Sequence, residues 1–134
     1  MGNVKILNTT PHPIHIFNPE QVYYDEKRRK HFLKNKDEKP VVIIEPSGIL
    51  LNVKTKYILQ EVKGDIPIYI KLIEGIDPLP GEHDILIVSK TYANTALQFN
   101  LKGLERLYTV SQTVYTNKNN PRPIGCLGLN KIKI

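Results

Sequence analysis

Cysteine occurs once in the sequence, at Cys126, and tryptophan not at all. A lone thiol excludes an internal disulfide framework, and four scattered histidines with one cysteine cannot supply a Cys-rich zinc site. That usage suits a reducing compartment such as the cytoplasm. The longest apolar runs, such as Ile85 to Val88, are four residues, far short of the roughly 18 needed for a membrane-spanning helix. Met1-Gly2-Asn3-Val4-Lys5-Ile6 lacks an apolar leader core, and Ile6 stands where a myristoylation signal has Ser or Thr, so neither export nor acylation is expected. Glycine-rich phosphate loops are missing too: no Gly-x-Gly-x-x-Gly and no Gly-Lys-Ser/Thr occurs.

What is present reads as one domain. The 134 residues are 40% hydrophobic and 24% charged, close to globular averages and away from the signature of disorder. The formal charge of +6 points to anionic partners. Much of it sits in Lys27-Arg28-Arg29-Lys30 with Lys34, Lys36 and Lys39, interspersed with Asp25, Glu26, Asp37 and Glu38. The mixed signs make a solvated surface the reading for residues 18–40, and the absence of a nucleic-acid-binding signature weighs against nucleic acid as partner.

Periodicity is mostly that of strands. Val4–Leu7 and Ile14–Phe17 alternate about Pro11 and Pro13, which forbid a continuous central strand and imply a rigid turn. Residues 18–40 show no sustained period and are read as a basic insertion or irregular loop, with one helical turn near Glu26–Leu33. Pro46-Ser47-Gly48 predicts a hairpin or sharp bend between 41–45 and 49–53. Ile66, Ile68, Ile70 and Leu72 alternate over seven residues and predict a half-buried strand. Asp84–Ser89 suits a strand buried on both faces. Tyr92, Ala96 and Phe99 carry helical spacing, predicting one short helix ending near Gly103. Tyr108–Thr116 is β-rich, and the glycines of Ile124–Leu129 suit a bulge or a close backbone approach. The expected fold is mainly β, a small sandwich or partly closed barrel of about eight to ten short strands with one short helix.

Catalytic chemistry finds little support in these residues. Neither a Gly-x-Ser-x-Gly elbow nor a Cys motif near a histidine is present; Ser47 reads as turn chemistry and Cys126 as a small buried side chain. Ser89-Lys90-Thr91, where a strand enters the helix, can cap that helix or hold an anion on its first amides.

Three segments together resemble a family of short phage- and prophage-associated proteins: Asn8-Thr9-Thr10-Pro11-His12, Pro46-Ser47-Gly48, and Ile124-Gly125-Cys126-Leu127-Gly128-Leu129. Ile87-Val88-Ser89 followed by Ala93 adds to the likeness, whereas Leu104-Glu105-Arg106-Leu107 replaces an Arg-Asp-Asp-Leu-like stretch usual after the helix. The resemblance implies a phage context, in which small basic proteins without catalytic motifs include sponges for nucleotide signals of host defence. The expectation is a non-catalytic, cofactor-free, homo-oligomeric protein that sequesters a nucleotide-like anion in the host cytoplasm. Its candidate ligand-binding residues are Thr10, His12, Ser89, Lys90, Tyr92, Asn94 and Arg106. A second expectation is an interaction module that blocks a host defence enzyme through the basic segment; a third is a weak phosphodiesterase using His12.

Overall fold

In the computed structural model, which describes residues 4–81 and 83–133, the chain is mainly β. Among the described residues there are ten strands and one α-helix. The strands are β1 (Ile6–Asn8), β2 (Ile14–Ile16), β3 (Val22–Asp25), β4 (Lys30–Leu33), β5 (Val42–Ile44), β6 (Val53–Lys63), β7 (Ile66–Ile76), β8 (Ile85–Ile87), β9 (Leu107–Tyr115) and β10 (Gly125–Lys131), and the helix is α1 (Lys90–Gln98). Six strands run β1-β8-β9-β10-β2-β5 around a nearly closed, barrel-like sheet. β1, β8 and β9 are parallel, with α1 connecting β8 to β9.

The seam between β1 and β5, the two ends of that order, is closed around one residue. Asn8 is buried, and its Nδ2 donates to Ile44 O on β5 at 3.2 Å and to His12 O at 2.9 Å. Its own carbonyl accepts from the backbone N and the Oγ of Ser47 at 2.9 and 2.7 Å. The Asn-Thr-Thr-Pro-His and Pro-Ser-Gly segments are therefore two halves of one clasp. Pro46-Ser47-Gly48 makes a sharp bend, with Gly48 at φ +87°, but 41–45 and 49–53 do not pair: β5 joins β2 instead.

Alternation on β8 explains its burial. Leu86 turns to a cluster with Leu7, Tyr92, Ala96 and Leu107 beneath α1, while Ile87 turns to Ile14 and Cys126. Each fully buried side chain of this kind contributes about 1.5–3 kcal/mol of gross hydrophobic stabilisation. A third cluster, Phe17, Val22, Leu33 and Val114, lies where β4 meets the far end of β9. Gly125 lets β2 approach here: a Cβ on it would stand 2.5 Å from His15 O and 2.7 Å from the Phe17 ring.

Two sequence readings are corrected. Residues 18–40 are not irregular throughout and carry no helical turn near Glu26–Leu33: β3 and β4 form a hairpin whose strands pair from Val22↔Leu33 to Asp25↔Lys30, while 34–40 form no strand or helix. Charge masked the short alternation, and the apolar residues that matter, Val22, Phe32 and Leu33, find their burial against distant parts of the chain. The strand beginning at Ile66 is not half-buried as a whole. It pairs with β6 alone, as a two-stranded arm on which Ile66, Ile70 and Leu72 remain exposed.

The clasp makes a measurable demand on stability. Asn8→Ala removes the donors to Ile44 O and His12 O and the acceptor of the Thr10 amide and hydroxyl at a buried seam, and is expected to destabilise the fold by about 3 kcal/mol. Urea denaturation of the variant against wild type measures it; a loss below about 1 kcal/mol, the range of an ordinary surface change, would show that the seam closes without Asn8.

Candidate functional site

The parallel strands β1 and β8 end side by side, and the chain leaving each borders the same stretch of β9. Thr9 is held there by its N–H and its Oγ1, both donating to Ile87 O at 3.0 and 2.7 Å. Thr10 follows, its N–H and Oγ1 donating to Asn8 Oδ1 at 2.9 and 2.6 Å. The short polar turn forms because an Asn side chain reaches its neighbour two residues on, and Pro11 and Pro13 keep the chain from re-entering the sheet.

β9 has β10 along one edge, but its other edge is shared. β8 takes it at Leu107 and Tyr108, and β4 takes it at Val114 and Tyr115. Between these two partners lies Thr109–Thr113, and Gln112 within it has a left-handed backbone, φ +48°. A non-glycine residue in that region stores strain of order 1 kcal/mol, and such residues concentrate at functional sites.

Two open hollows meet at this place and share Thr10, Val110 and Thr113. The first, of about 280 Å³, is lined largely by apolar residues, Pro13, Ile14, Pro123, Ile124 and Cys126, with His12 and His15 also among its residues. The second, of about 380 Å³, is walled by Ser89, Lys90, Thr109, Gln112 and Asn130 over Val88. Ser89 caps α1, its Oγ accepting from Tyr92 N at 3.1 Å. The first turn of the helix, with Lys90 as its first residue, thus borders the polar hollow, an arrangement that favours anions. Burial raises the pKa of the Cys126 thiol above its ordinary value, which holds it in the unreactive protonated form.

Of the seven residues expected from sequence, four border these hollows: Thr10 both, His12 the apolar one, Ser89 and Lys90 the polar one. The other three do not line them. Tyr92 is buried under α1, its hydroxyl donating to Asp77 O. Asn94 is exposed on the helix. Arg106 is spent on the 77–83 loop, where its Nη1 donates to Pro80 O at 2.8 Å and reaches His83 O at 3.4 Å. Tyr92 and Asn94 are an aromatic and a polar residue close to Lys90 in sequence, but Tyr92 turns to the core and Asn94 lies further along the helix. Sequence reasoning missed Thr109, Gln112, Thr113 and Asn130, and His15 as a companion of His12; only the positive φ of Gln112 marks the place, and φ is not written in residue type. Among the described residues, no three His, Cys, Asp or Glu side chains stand together as a metal site.

Tyr92 sets a pH limit on the helix that carries Lys90. Burial, and secondarily the Asp77 charge, push its pKa up to about 12. The unfolded chain loses this proton near pH 10, so stability is expected to fall as pH rises from about 10 to about 12. Denaturant titrations across that window should show the decline and should show it flattened in Tyr92→Phe; equal slopes in both proteins would contradict it.

Comparison of the chain with family models, with curated proteins and with solved structures finds no match.

Proposed function

We propose that the protein binds and sequesters, without transforming it, a nucleotide-like anionic small molecule in the paired hollows around Thr10. The observation that carries this reading is their division of labour. A hollow lined mainly by Pro, Ile and Cys residues together with His12 and His15 suits a base or other flat ring, and the adjoining hollow, lined mostly by polar residues, offers hydroxyls, amides, Lys90 and a helix start for phosphate. The net charge of +6 favours approach of an anion, and the resemblance to phage-associated proteins makes a signalling nucleotide of host defence, met in the host cytoplasm, the first ligand class to try. Nucleic acid fits less well, because Lys90 is the one lysine or arginine bordering either hollow among the described residues.

Isothermal titration against cyclic dinucleotides and ADP-ribose derivatives tests the proposal. A ligand is expected to bind below about 10 μM, and Lys90→Glu to weaken it at least tenfold, about 1.4 kcal/mol. No binding tighter than about 100 μM across the panel would overturn it. Chromatography after incubation should return the ligand unchanged; conversion to a product would favour a phosphodiesterase using His12 instead.

A second reading, direct inhibition of a host enzyme, draws on the β3–β4 hairpin. Its turn carries Lys27, Arg28 and Arg29, with Tyr23 and Tyr24 half exposed on the adjoining strand. Arg28 is already paired with Asp25 at 2.8 Å, and Lys30 lies 4.6 Å from the centre of the Tyr115 ring, which leaves Lys27 and Arg29 as the outward cations of the turn, beside the exposed Glu26. Replacing Lys27 and Arg29 with glutamate separates the two readings. Inhibition lost with small-molecule binding intact supports the interaction module, and inhibition retained supports the sponge.

A further inference from the structure

The β6–β7 arm has apolar residues on both sides of a ribbon and no third strand of the described chain beside it. Eleven residues per strand make it about 35 Å long. An isolated two-stranded ribbon is at best marginally stable in water, so an arm of this length implies something that covers it. Only its base is packed, where Val53 and Ile76 join the cluster beneath α1 and Asp77 Oδ2 accepts from Asn52 N at 2.8 Å.

The pairing register sorts the side chains. Opposed residues share a face, so Ile58↔Ile70, Lys56↔Leu72 and Glu61↔Ile68 lie on one side, continued to the tip by Ile66 opposite Lys63. The irregularity between Leu59 and Glu61 absorbs Gln60 and keeps Glu61 on this face. Ile66 is 64% exposed, Leu72 44%, Ile58 41% and Ile70 39%.

We propose that this face is a self-association surface on which two copies of the chain pair arm to arm, antiparallel, about a twofold axis at Ile58–Ile70. Three observations choose a second copy over another partner. The level of Ile58 and Ile70 lies near the middle of the arm, so tip and base of one arm reach base and tip of the other. About that axis β6 crosses β6, and Glu61, two levels towards the tip, comes over Lys56 of the second copy, two levels towards the base; the symmetry makes this ion pair twice, with Glu61 bridging that lysine and, at 3.6 Å, Lys63 of its own chain, while Lys63, four levels out at the exposed tip, faces Lys54 of the second copy. The arm is also close to neutral, with Lys54, Lys56, Lys63 and Lys71 against Glu61, Asp65 and Glu74, while the whole chain carries +6. Two arms can meet without bringing the basic bodies into contact, and a strongly charged partner has little to recognise here. Covering one face of each arm buries on the order of 1,000 Å² in total, the threshold for a specific interface.

Sedimentation equilibrium of the full chain from about 1 to 100 μM tests the proposal. The wild type is expected to be dimeric in that range, and Ile58→Asp with Ile70→Asp to be monomeric with the circular dichroism of the body retained. Charge reversal gives a test that does not rely on the apolar residues. Lys56→Glu alone and Glu61→Lys alone each set like charges against each other twice and should weaken dimerisation at least tenfold. Mixed in equal amounts, the two single variants restore both pairs and should form a heterodimer of wild-type affinity. A wild type that stays monomeric, or single variants that dimerise as well as wild type, or a mixture that fails to recover, would each overturn the proposal.

Discussion

One residue does the work that a strand-to-strand ladder does elsewhere in this sheet. β1 and β5 end the strand order, and what joins them is Asn8, donating to Ile44 O and His12 O with its nitrogen while its oxygen holds Thr10. A single residue closing a seam has two consequences that a ladder would not. It leaves room beside the closure, since one residue spans where several would otherwise pair. It also orients the next residues, because the amide that closes the sheet is the one that shapes the Thr10 turn. Being buried, Asn8 must satisfy all its polar atoms, and those obligations draw the Pro-Ser-Gly bend onto the same point through Ser47.

The candidate site follows from that arrangement. Because β1 and β8 end together, their following residues line one rim, and because β9 outruns β8 before β4 takes over its edge, the opposite rim is a stretch of strand facing a gap. The crevice outside the carboxyl ends of parallel strands, where a helix begins, is a recurrent place for ligands in α/β sheets, and the β1-β8-β9 portion with α1 reproduces its geometry inside a largely β molecule. The left-handed Gln112 sits on that rim, where backbone strain and an opening in the ladder coincide.

Body and arm divide the apolar residues in opposite ways. In the body, alternation on β8 serves two cores, with Leu86 under α1 and Ile87 among the strands. On the arm, the equally regular Ile66-Ile68-Ile70-Leu72 run faces away from any core of its own chain. The same two-residue period thus produces buried and exposed surface, depending on what lies opposite.

Residue order alone carried the local structure wherever chemistry acts over a few residues. Ser89 capping α1, the bend at Gly48, the close approach at Gly125 and the small buried thiol of Cys126 are all legible, because a hydroxyl, a missing Cβ or a small apolar side chain acts on its immediate neighbours. Four of the seven residues expected around these segments border the hollows. Only the tertiary structure decided that Arg106 ties down a distant loop, that Gln112 and Asn130 face the hollow, that residues 22–33 are a hairpin, and that the most regular strand in the chain is an arm. The physical reason is that periodicity reports which side chains share a face, while burial and ligand contact depend on what the rest of the chain, brought from far along the sequence, places against that face.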